Sequence, residues 1–191
     1  GPKIVRYLKE ICLALIWVCG LFIAIATTAR QIPAERESRT IFPLMAKPIT
    51  RGQVLLGKFL GCWGATCLSL VAFYFFFGLV VASKEHAWPV GNYFQAWSLH
   101  CVMSAVVVGM TLLGSLVLAS VASNLTIVTV VAVGILFLGR HLNKVAAQLG
   151  DVTGTLVSGL YYTIPHLELF DVRDLIVHNW PLISWNVWAI A

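Results

Sequence analysis

Apolar residues come in long runs along this chain, with short polar blocks between them. Residues 11–29 (ICLALIWVCGLFIAIATTA) carry no charge, and neither do residues 59–83 (FLGCWGATCLSLVAFYFFFGLVVAS). Each run is long enough to cross a bilayer as a helix, which takes about 20 mostly apolar residues. A third run, 97–139, is too long for one crossing. The small and polar residues Ser120-Val-Ala-Ser-Asn124 predict a tight turn that divides it into 97–119 and 125–139. The second of these is short and is expected to continue past Arg140, and a fifth run begins near Ile183. The pattern predicts an all-α, polytopic transmembrane helical bundle with four to five spans.

Composition agrees with that reading. The chain is 59% hydrophobic and 11% charged, against roughly 45–50% apolar and about 25% charged in globular domains. Its 13 Lys and Arg and 8 Asp and Glu cannot cover so much apolar surface, so the surplus faces lipid. The net charge of +5 does not indicate a nucleic-acid partner, because the basic residues flank apolar runs instead of interleaving with exposed aromatics. Arg30, Arg36, Arg39, Lys47, Arg51 and Lys58 crowd the 30–58 loop, whereas 83–96 contains Lys84 alone. The positive-inside rule then makes 30–58 cytoplasmic. It puts the next loop outside with Trp88, Tyr93 and Trp97 as interfacial aromatics, the 120–124 turn inside, and 140–181 outside. Lys3, Arg6 and Lys9 stand against this order, and their spacing assigns them to one face of a surface-lying helix. Cys12, Cys19, Cys62, Cys67 and Cys101 form no CxxC pair and read as small core residues. The chain starts Gly1-Pro2-Lys3 and stops as an apolar run begins. It is therefore expected to be a single transmembrane domain (1–191) shortened at both ends, with Gly1-Pro2 left by cloning.

The 30–58 loop is long for a connection between spans, and it carries local structure signals. Pro33 sits where a helix tolerates proline, and Glu35 and Glu37 follow near the positive end of its dipole. Ile41, Leu44 and Met45 recur at i, i+3 and i+4 as a short apolar strip, which Pro43 re-aims and Pro48 ends. Thr50-Arg-Gly-Gln53 fits a reciprocal capping box. The helix it opens is expected to run from Arg51 into the span at Phe59. Gly57-xxx-Gly61 at the head of that span has the spacing that lets helix backbones approach closely. On these residues alone the loop is either a rigid lever for a partner or a positively charged topogenic loop.

Chemistry of other kinds is not indicated. Gly57-Lys58 lacks the earlier glycine and the following Ser or Thr of a phosphate-binding loop, so ATP hydrolysis is not expected in this chain. An intramembrane protease would need HExxH, a Ser–His pair or paired aspartates within spans. His100 stands alone at a membrane edge, and Asp151, Asp171 and Asp174 fall outside the spans. No catalytic residue, cofactor or metal ligand is assigned. The glycosylation pattern Asn124-Leu-Thr126 falls in a turn read as cytoplasmic and is discounted. Near the C-terminus, Asp171-Val-Arg-Asp174 predicts a helix start, after which Leu175, Ile176 and Trp180 would lie in the outer interface.

The loop and its flanking runs resemble the membrane-spanning permeases of type-2 ABC exporters, in particular the bacterial stand-alone permease subunits. The resemblance rests on Glu35-Arg-Glu37-Ser-Arg-Thr40-Ile-Phe-Pro-Leu44-Met-Ala-Lys-Pro48-Ile-Thr-Arg51, then Gly57-Lys58, with an apolar span on either side. It covers residues 11–82 well; beyond that the likeness is mainly of hydropathy, with Ile164-Pro-His-Leu-Glu-Leu-Phe-Asp171 similar to the polar segment before the last span. It implies six spans in the complete protein, a bacterial inner membrane location, a second permease copy or a homologous permease, and a separate ATP-binding subunit. It further implies that Glu35, Arg36, Glu37, Thr40, Leu44, Pro48 and Arg51 form or frame the contact with that subunit, with Gly57 and Gly61 in helix packing. A membrane scaffold driven by an ATPase for a mechanical or signalling task would need the same lever. The uncharged spans and the run Phe73-Tyr-Phe-Phe-Phe77 lean toward an apolar or amphipathic cargo, or cargo handled by an accessory protein. The outer segment 150–181 would be an interfacial anchor or an exit gate.

Overall fold

The computed structural model describes residues 2–38, 50–85, 90–118, 120–148, 159, 165, 167–171 and 173–178. Among them there are helices and no strand. Helix α1 (Pro2–Ala29) contains the first apolar run. It starts nine residues before that run, because no glycine or proline interrupts 3–11 and Arg6 pairs with Glu10 one turn on at 3.8 Å. The separate surface-lying segment expected for Lys3, Arg6 and Lys9 is therefore the first turns of a spanning helix. Lys9 is 1% exposed, while Arg6 reaches outward to His178, so Arg6 and Lys9 do not share one solvated face.

After a turn at 30–32, the short helix α2 (Pro33–Glu37) follows with Pro33 in its first turn. The amides of Ala34 and Arg36 donate to Arg30 and Ile32 carbonyls, both at 3.1 Å. α2 thus nearly extends α1. Helix α3 (Arg51–Glu85) runs without a break for 35 residues. At about 1.5 Å per residue it is about 52 Å long, well beyond a hydrocarbon core of about 30 Å. One or both of its ends must stand clear of the apolar layer. Helices α4 (Val90–Val117) and α5 (Val121–Gln148) complete the long elements. A 3₁₀ turn (Leu167–Phe170) and the short helix α6 (Arg173–Val177) lie beyond them.

α1, α3 and α4 are each long and apolar enough to span a membrane, and α5 contributes a shorter apolar stretch, Val121–Phe137. The run near Ile183 lies outside the described residues. α1, α3 and α4 pack mutually, and α5 lies against α4 and α1. Two apolar clusters stack along the bundle. Leu13, Ile16, Leu70, Phe77 and Leu99 belong to one; Ile25, Cys62, Met103, Val107 and Ile135 belong to the other, nearer the loop. Phe75 and Phe76 point outward at 53% and 64% exposure, while Phe77 is buried. Of the cysteines, Cys62 and Cys101 are core residues as expected, and Cys19 is exposed.

Three sequence expectations change. α4 begins at Val90, not Trp97, so Tyr93 and Trp97 are helical. Tyr93 is buried against Phe77 with ring centroids 5.3 Å apart, and the Trp97 indole donates to the Cys67 carbonyl at 3.4 Å. Both aromatics join α3 to α4. The α4–α5 break falls around 118–120, which leaves Asn124 inside α5, fully buried. Its amide donates to the Thr111 carbonyl at 3.2 Å; a polar residue with a partner across the helix pair needs no turn. Ile176 is 1% exposed and Val177 6%, because α6 packs on α1 and α4. The segment re-enters the bundle where an interfacial helix was expected for Ile176.

Candidate functional site

The loop end of the bundle gathers the end of α1, all of α2, the first turns of α3 and the last turn of α4. α3 starts with the reciprocal capping box. The Gln53 amide donates to Thr50 Oγ1 at 3.3 Å, and the Thr50 amide donates to Gln53 Oε1 at 2.9 Å. Two orphan donors of the helix start are satisfied by side chains that belong to the same turn. Thr50→Ala is expected to weaken this start by about 1 kcal/mol. Hydrogen exchange of the 51–54 amides should then quicken by about fivefold, with the rest of α3 unchanged.

Glu35 and Arg36, both expected at a partner's surface, make bonds inside the chain. Lys58 Nζ, two turns into α3, donates to Glu35 Oε1 at 2.5 Å and to the Gln31 carbonyl at 3.4 Å. The Lys58 side chain is 13% exposed and that of Glu35 30%. This is a shielded pair, unlike exposed ones, which are worth only about 0.2–1 kcal/mol. Gln31 Nε2 in turn donates to the Thr27 carbonyl at 3.2 Å. Arg36 Nη2 donates to the Leu116 carbonyl at 3.1 Å. That carbonyl belongs to the last turn of α4, where helix carbonyls lack intrahelical donors and a cation suits the dipole. Neighbouring Glu37 and the helix-opening Arg51 are exposed. Thr40, Leu44 and Pro48 lie outside the described residues, as do Ile41, Pro43 and Met45.

A groove of about 680 Å³ runs beside these bonds. Thr27, Gln31 and Glu35, at i, i+4 and i+8, line it from the α1–α2 side; Gly57, Gly61 and Ala65, at the same spacing, line it from α3. A Cβ added at Gly57 or Gly61 would meet nothing within 4 Å. These glycines therefore border open space, and among the described residues no other helix packs on them. Close helix approach occurs elsewhere. A Cβ at Gly20 would lie 3.0 Å from both His100 Nε2 and Leu70 Cδ2, and one at Gly114 would lie 2.3 Å from Asn124 Oδ1.

Two polar features were not legible as built sites. His100, expected at a membrane edge, is 2% exposed and enclosed by the bundle. It packs beside Trp17 and Tyr74, each with centroids 6.2 Å away. Arg173 grips Asp171 in a two-pronged pair at 2.7 and 2.6 Å, with its guanidinium 5.5 Å from the Trp17 ring centroid. Asp171 also accepts from the Arg173 amide at 3.3 Å, which supports the start expected for α6. This pair closes one end of a second groove of about 390 Å³ between α1 and α5, walled by Leu21, Ile25, Ala132 and Leu136. The Asp-x-Arg spacing was the available signal; its contact with Trp17, far away in sequence, was not readable. Among the described residues no group of His, Cys, Asp and Glu is arranged to hold a metal ion.

No curated protein and no solved structure matches the chain. The profile of the ABC-2 family transporter proteins matches residues 6–163, a stretch that runs from the second turn of α1 through α5 and takes in the whole loop end. Members of that family are transport components of membranes and generally work with an ATP-binding subunit. With most of its length matched and its long apolar helices packed as a bundle, the chain is a multi-pass membrane protein that belongs to the ABC-2 family transporter proteins.

Proposed function

We propose that this chain is the permease of an ATP-driven exporter in a bacterial cytoplasmic membrane. A separate ATP-binding subunit docks on the cytoplasmic 30–58 loop and moves the spans, and a second permease completes the pathway. The observation that carries this reading is the unbroken α3, capped at Thr50 and continuous from the loop through the apolar layer. A permease without its own ATP site is driven only if the two nucleotide states of its partner contact it differently. A helix that begins at the docking loop and ends at the far side turns that difference into movement within the membrane. Glu37 and Arg51, exposed at the two described edges of the loop, are the charged residues that would meet the partner. Thr40, Leu44 and Pro48 complete the docking surface in this reading.

The groove beside α3 separates structure from function in a way that tests the proposal. Gly57→Leu combined with Gly61→Leu adds side chains where nothing lies within 4 Å, so insertion and folding are expected to match the wild type. Filling this groove should nevertheless hinder the movement of these spans during transport. The expected result is the export phenotype of a gene deletion at wild-type protein levels in the membrane. Full function of the double variant would count against movement of these spans.

A further inference from the structure

Glu35 and Lys58 lie 23 positions apart, on the two helices that enter and leave the docking loop. At this level α1 and α3 are separated by the groove, whose α3 wall includes the stripe Gly57, Gly61 and Ala65. That stripe offers no long side chain to hold the helices together, and Gln53, which also lines the groove, is engaged with Thr50. Lys58 reaches across instead, and its ammonium is shared between the Glu35 carboxylate and the Gln31 carbonyl. Because the Lys58 side chain is 13% exposed, water and salt compete poorly for that charge. α2 is bound in this way to α3, and through Arg36 to the end of α4.

Resting on the permease reading above, we infer that the Glu35–Lys58 ion pair is an internal clasp that transmits movement of the docked loop into the spans. Glu35 and Lys58 are positioning residues, and neither is a contact with the ATP-binding subunit. Glu35 is turned into the groove and engaged there, whereas Glu37, two positions on, faces outward. A push delivered to α2 reaches α3 because the clasp makes the two helix ends one body. Without it, α2 keeps its Arg36 bond to α4 but loses its ion pair to α3, and its movement is not passed to that helix.

The test uses the complex purified from its native membrane, with ATP and vanadate as the trapping reagent. Two quantities are read: stoichiometric retention of the ATP-binding subunit, and the nucleotide-dependent change in hydrogen exchange of the 51–65 amides. The variants are Glu35→Gln, Lys58→Gln, the swap of Glu35→Lys with Lys58→Glu, and Lys58→Arg. Both single neutral variants are expected to retain the subunit and lose the nucleotide-dependent change; the swap and Lys58→Arg are expected to keep it. Loss of the subunit from Glu35→Gln but not from Lys58→Gln would make Glu35 a docking residue and overturn the clasp. A wild-type response in both single variants, or no response in the wild type, would overturn it as well. Should the neutral variants fail to accumulate, a folded Lys58→Arg complex that lacks the response overturns the proposal, and one that keeps it supports a charge-borne clasp. A wild-type chain that captures no ATP-binding subunit at all refutes the permease reading itself, an outcome distinct from all of these.

Discussion

Gly114→Leu is expected to unfold the α4–α5 half of the bundle. Even the first added carbon would lie 2.3 Å from Asn124 Oδ1 and 3.2 Å from Val128 Cγ2. Asn124 has little room to yield, since it is fully buried and its amide is committed to the Thr111 carbonyl. Forcing atoms into a packed interior costs about 1–3 kcal/mol. Stranding a buried polar group costs about 1–3 kcal/mol more. Both act on a total stability of only about 5–15 kcal/mol. Thermal melting in detergent should fall by roughly 10 °C or more, whereas Gly57→Leu, facing open space, should melt as the wild type does. A Gly114→Leu protein with an unchanged melting temperature would show that α4 and α5 do not meet at this crossing.

The spans were legible because long uncharged runs have one stable state in a membrane, and their number and order hardly depend on which residues touch. Boundaries were less legible where a polar side chain finds its partner on another helix. Asn124 read as part of a turn because its bond to Thr111 is invisible along the chain, and Tyr93 read as interfacial because its packing on Phe77 is equally so. The loop divides in the same way. The capping box was readable, since its partners are three residues apart. Glu35 and Arg36 stood out through the loop motif alone; their bonds, which reach 23 and 80 positions away to Lys58 and Leu116, were not readable. No periodicity encodes such distances. Gly57 and Gly61 matched a packing motif that permits close approach and does not by itself supply the second helix.

Glu37→Lys is the charge reversal expected to have the largest effect on assembly. Glu37 ends α2 and is exposed, so the substitution disturbs no internal bond of the kind that Glu35 makes. A cation at a helix C-terminus is favoured by the dipole, so the permease should insert and fold normally. At a docking surface, however, like charges set against each other cost several kcal/mol. A penalty of even 1.4 kcal/mol weakens binding about tenfold, enough to empty the site during purification. Gly57→Leu, which fills the groove and carries no charge to the partner, should release nothing.

The most direct measurement is therefore capture of the protein from its native membrane in mild detergent, as wild type and as Glu37→Lys, with the bound ATP-binding subunit quantified against the permease. The wild type is expected to retain that subunit in stoichiometric amount, and Glu37→Lys, equally abundant and equally stable, to lose it. Retention by both forms would contradict docking at Glu37, and absence of an ATP-binding subunit from both would contradict the permease reading as a whole.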